Sequence, residues 1–93
     1  MASALDRIRG INAQISALEL QIDQVEVEAE ILRHIDDDAQ RDAAVSENYD
    51  DRAAAKMTQS DVARMDKHVR ELERTRAKLV AKRDRLIRKL AAK

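Results

Sequence analysis

Residues 8–32 read IRGINAQISALELQIDQVEVEAEIL, in which Ile8, Ile11, Ile15, Leu18, Ile22, Val25, Ala29 and Leu32 recur at alternating steps of three and four. That spacing is the seam of a coiled-coil helix. A second run steps in the same way: Val62, Met65, Val69, Leu72, Arg76, Leu79, Arg83, Leu86 and Leu90. Folded back antiparallel, the two runs pair so that residue numbers sum to 94. Ile8 meets Leu86, Ile15 meets Leu79, Ile22 meets Leu72, Val25 meets Val69, Ala29 meets Met65 and Leu32 meets Val62. Each pair sets an a position against a d position, as antiparallel packing requires, and the fold-back falls at Glu47. The expected fold is an all-α antiparallel coiled-coil helical hairpin spanning residues 1–93 as one unit. Helix one covers about 3–42, the tip about 43–49 and helix two about 50–92. So thin a fold has no interior for a substrate, which places its activity on its surfaces.

Composition agrees. The chain has one Gly, no Pro, Cys, Trp or Phe, and 39% charged residues, the profile of long helices rather than of a layered domain. A core made of two facing stripes is small for this length, and association is the usual remedy. No apolar run approaches the roughly 18 residues that span a bilayer, and the N-terminus lacks the charged start and apolar stretch of a signal peptide. Cytoplasmic residence with no membrane contact is therefore expected. The lack of Cys excludes disulfides and thiolate metal sites.

Local signals mark the helix ends. Ser3 followed by Asp6 reads as a capping box. Gly10 costs about 1 kcal/mol relative to Ala in a helix interior and is read as a tolerated surface position. In the middle, Asp36, Asp37, Asp38 and Asp42 conflict with the carboxyl end of a helix, whose dipole disfavours anions. Two tips therefore compete. One turns within about 43–49; the other ends helix one near Ile35 and places a separate helix through about Lys56. Thr58 with Asp61, and Asn48 with Asp51, are both plausible boxes. Ala39 opposite Ala55 continues the sum-of-94 register and favours the two-helix hairpin.

Flanking positions test the register. Leu5 meets Ile87 and Asn12 meets Val80, which widens the core. Farther along, Glu19 falls beside Glu73 and Glu26 beside Asp66, like-charge contacts costing a few tenths of a kcal/mol each; Arg70 and Lys67 are the candidates to relieve them. Helix one also carries a second stripe opposite the seam: Ala13, Ala17, Leu20, Val27, Ile31 and His34. Burial of a residue such as Leu20, Val27 or Ile31 contributes about 1.5–3 kcal/mol. These three are the candidate self-association residues, and two hairpins joined through them form a four-helix homodimer.

Charge is neutral in sum and segregated along the chain. Residues 1–18 with 76–93 hold ten basic and two acidic side chains, while 19–75 hold eight basic and sixteen acidic. The candidate phosphate-contacting residues at the basic end are Arg76, Lys78, Lys82, Arg85, Arg88 and Lys89. With no aromatic residue there to stack on bases, nucleic-acid affinity is expected to be weak and non-specific. Arg76 and Arg83, at seam positions, are expected to lay their stems over Leu18 and Ile11. The acidic tip offers Glu47, Asp50 and Asp51 to a protein partner with a basic cleft. No catalytic residues, metal or cofactor are expected: His34 and His68 belong to different helices, and Asp36–Asp38 lack the spacing and turn Gly of an EF-hand.

Ser46, Glu47, Asn48 and Tyr49, followed by Ala53, Ala54, Ala55, Lys56 and Gln59, resemble the tip and second-helix start of the coiled-coil domain in Gre-type bacterial transcript-cleavage factors. Those proteins insert a helical hairpin with an acidic tip into the secondary channel of RNA polymerase. Glu47 matches one of the family's two tip acids, the other falls on Ala44, and the family's globular domain has no counterpart in this sequence. The resemblance, over about residues 46–59, implies a regulator that occupies the channel rather than one that cleaves transcripts.

Overall fold

The computed structural model describes residues 3–92 and contains two long helices, α1 (Ala4–Val45) and α2 (Tyr49–Ala91), folded as a helical hairpin. Among the described residues there is no strand. α1 opens as its sequence prescribes. The Ser3 amide donates to Asp6 Oδ2 at 3.3 Å and the Asp6 amide donates to Ser3 Oγ at 3.1 Å, closing the capping box.

The turn is shorter than expected. α1 runs unbroken through the acidic stretch to Val45, and Ser46, Glu47 and Asn48 alone separate it from α2. Ser46 still donates its amide to the Asp42 carbonyl at 3.0 Å, and its Oγ accepts the Asn48 amide at 3.0 Å. Asn48 then caps α2 by accepting the Asp50 amide on Oδ1 at 2.9 Å. This replaces the box anticipated between Asn48 and Asp51. Thr58, the other anticipated cap, lies inside α2, so the model with a separate middle helix is ruled out.

The helices divide into two compact units. The first joins residues 4–23 of α1 to residues 71–91 of α2. Ile8, Ile11, Ile15 and Ile22 are buried in it, while Leu72, Leu79 and Leu86 opposite are half-buried. Where the α2 seam carries arginine, polar atoms cross the pair. Arg83 Nη1 donates to Asn12 Oδ1 at 3.2 Å, and Arg76 Nε donates to Glu19 Oε1 at 3.2 Å. Arg83 is half-buried, and Ile11, which the sum-of-94 register sets opposite it, is only 7% exposed. Glu19 is relieved by Arg76 rather than by Lys67 or Arg70.

The second unit holds residues 24–70. Its core is Val25, Ala29 and Ala55, with Ala29 fully covered and Leu32, Val62, Met65 and Val69 half-buried. Its register is pinned by a polar cluster at a seam position. Asp36 Oδ1 accepts from Thr58 Oγ1 at 2.8 Å and from Gln40 Nε2 at 3.0 Å, and Gln40 Nε2 also donates to the Ala55 carbonyl at 2.9 Å. Asp36 and Thr58 sum to 94. The aspartate that looks out of place near a helix end is therefore a cross-helix acceptor well inside one. Arg33 donates to Asp66 at 3.0 Å, which relieves the Glu26–Asp66 contact from a direction the register alone did not suggest.

Polar seam residues fix register at a cost in stability. Replacing Arg76 and Arg83 together by Leu is expected to raise the unfolding free energy by about 1–3 kcal/mol, the scale of newly buried apolar side chains. Urea denaturation measures this. A fall in stability would show that the links to Glu19 and Asn12 outweigh the added apolar area.

Candidate interaction surfaces

α1 is apolar on two opposite sides, and α2 covers only one of them. In the first unit Leu20 is 62% exposed; in the second Val27 and Ile31 are 60% and 54% exposed, with Ile35 next in line. The spacing of seven and four residues keeps Leu20, Val27 and Ile31 within a narrow sector of one helix. Ala13, Ala17 and His34 of the same stripe are also exposed. Scattered single apolar residues are ordinary on a surface; an aligned series makes this sector a candidate interaction face.

The basic candidates all lie on α2 within the first unit. Lys78, Lys82, Arg85, Arg88 and Lys89 are exposed, and Arg88 and Lys89 sit in the last turn, where the helix dipole favours cations. Arg76 differs, because its guanidinium is engaged by Glu19. Lys89 and Arg7 line one shallow groove with Ala4, Leu86, Leu90 and Ala92, bringing cations from both helices to the start of α1 and the end of α2.

The acidic candidates lie at the tip. Glu47 is exposed in the turn, and Asp50 and Asp51 occupy the first turn of α2, where the dipole favours anions. Asp51 is half-buried and Asp50 exposed. Val45 and Tyr49, which flank the turn, are 87% and 80% exposed, and Met57 farther along α2 is 68% exposed; none of the three lies on a seam. The one signal in the sequence was Tyr49 itself, the sole aromatic residue, at the point where the chain turns.

Interior chemistry is sparse. Among the described residues no polar or charged side chain is buried, and no group of His, Cys, Asp and Glu is arranged to hold a metal ion. His34 and His68 are both exposed. No helix among the described residues is long and apolar enough to cross a membrane. Searches of protein-family models, of curated proteins and of solved structures find no match to this chain.

Proposed function

We propose that the protein is a cytoplasmic, non-enzymatic helical-hairpin assembly module that acts by self-association through the outward face of α1. The observation that carries this is the exposure of Leu20, Val27 and Ile31 on the side of α1 that α2 leaves uncovered. A second copy supplies what the hairpin lacks, a partner for that face, and the product is a four-helix dimer. Such a dimer leaves the charged ends free for further contacts.

A second role is supported by the tip. Glu47 stands in the three-residue turn with Asp50 exposed beside it, at the place where the sequence resembles the tip of Gre-type factors. That placement suits insertion into a basic cleft such as the secondary channel of RNA polymerase. The basic residues of the other unit give weak, sequence-independent and salt-sensitive affinity for nucleic acid, as expected of phosphate contacts alone.

Self-association has a thermodynamic signature. The melting temperature of a dimer rises with protein concentration, because the folded assembly draws on mass action, while that of a monomer stays fixed. Thermal unfolding followed by circular dichroism over about a hundredfold range of concentration is expected to shift upward by several degrees. A constant melting temperature across that range would overturn the assembly reading.

A further inference from the structure

We infer that two copies pair antiparallel through α1, so that residues 9–20 of one copy lie along residues 27–38 of the other. The inference rests on the self-association proposed above and specifies its geometry. The outward face of α1 carries Arg9, Ala13, Ser16 and Leu20 in the first unit and Val27, Ile31, His34 and Asp38 in the second, all exposed and each set stepping by four, three and four. The pattern is palindromic. Arg9 with Asp38, Ala13 with His34, Ser16 with Ile31 and Leu20 with Val27 all sum to 47. A two-fold axis near residues 23 and 24 therefore sets Leu20 against Val27 and the small Ala13 and Ser16 against the larger His34 and Ile31, and it repeats every contact twice, as an isologous interface must.

Charge selects this orientation. Antiparallel pairing brings Arg9 to Asp38 of the second copy at both ends of the interface. Parallel pairing would instead stack Arg9 on Arg9 and Asp38 on Asp38, with Asp36 and Asp37 close by. Among the described residues Arg9 makes no ion pair. Asp38 holds Arg41 at 3.4 Å, but both side chains of that pair are largely exposed, so the link is weak. The same register carries Arg41 to Asp6 of the second copy, which also opposes charges of unlike sign.

The chain has no cysteine, so engineered thiols report the geometry directly. Full-length Ala13→Cys and His34→Cys variants, both at exposed sites, are mixed in equal amounts, oxidised and weighed by intact-mass spectrometry. The mixed disulfide is expected to exceed either homodisulfide at least fivefold. Predominant homodisulfides would mean parallel pairing and overturn the inference while leaving self-association intact. Disulfides in statistical proportion, or none in a sample that sediments as a dimer under reducing conditions, would overturn the pairing of these faces. None in a sample that sediments as a monomer would overturn self-association itself. A charge swap gives an independent check. Arg9→Asp or Asp38→Arg alone is expected to weaken dimerisation about tenfold, since each disturbs two symmetric pairs, and the two together are expected to restore it. Single variants with unchanged affinity would contradict the antiparallel contact.

Discussion

Ile15→Asp is expected to abolish most of the helical signal at 25 °C, whereas Gln14→Asp, one residue away, leaves it. Ile15 is 5% exposed and stands opposite Leu79 in the sum-of-94 register. Its loss removes one of the larger contributions to a core that is two stripes wide. The introduced carboxylate faces Leu79, while the neighbouring seam arginines Arg76 and Arg83 are already held by Glu19 and Asn12; it must lose water to stay charged or take up a proton, and either course costs several kcal/mol. For a chain of this length total stability is on the order of 5–14 kcal/mol, and a core this thin belongs at the low end. Gln14 is exposed, so an aspartate there stays in water and costs a few tenths of a kcal/mol in helix propensity. Circular dichroism with urea denaturation separates the two. Equal midpoints would mean that residues 8–32 do not form the seam.

Replacing Leu20, Val27 and Ile31 together by Gln is expected to leave a helical hairpin that no longer associates. None of the three lies in the core, and Gln is a good helix former, so α1 keeps its secondary structure. The interface loses six apolar side chains, three from each copy. Even with full allowance for the costs of association, that loss weakens dimerisation by at least about a thousandfold, or about 4 kcal/mol. The concentration dependence of melting disappears with it. If the triple variant still associates, the outward face of α1 is not the contact.

The heptad spacing carries the fold because period and facing side chains are properties of the chain that tertiary context rarely overrides in a helix pair. Ile8, Ile15, Ile22, Val25 and Ala29 are all buried as their spacing implies. What escaped the sequence was the work done by polar residues at seam positions. Asp36 looked like an anion at the wrong end of a helix dipole, yet one hydroxyl from Thr58 and one amide from Gln40 make it a register pin. A hydrogen-bond partner on another helix is legible only once the register is trusted, and 36 with 58 obeys the same sum as the apolar pairs. Capping was legible where it was local and unambiguous, at Ser3 and Asp6, and ambiguous in the middle of the chain, where Asn48 and Thr58 each offered a box. Of the candidate surfaces, exposure of Leu20, Val27 and Ile31 followed directly from their place opposite the seam. That Arg76 binds Glu19 did not follow, because a long side chain can reach in several directions.

The most direct test of the central claim, that the uncovered face of α1 joins two copies, is sedimentation equilibrium of the unmodified chain beside the Leu20, Val27 and Ile31 triple variant. The unmodified chain is expected to sediment at twice its 10.6 kDa mass and the variant at the single-chain mass, both equally helical. An unmodified chain that sediments as a single copy throughout the micromolar range would contradict the account.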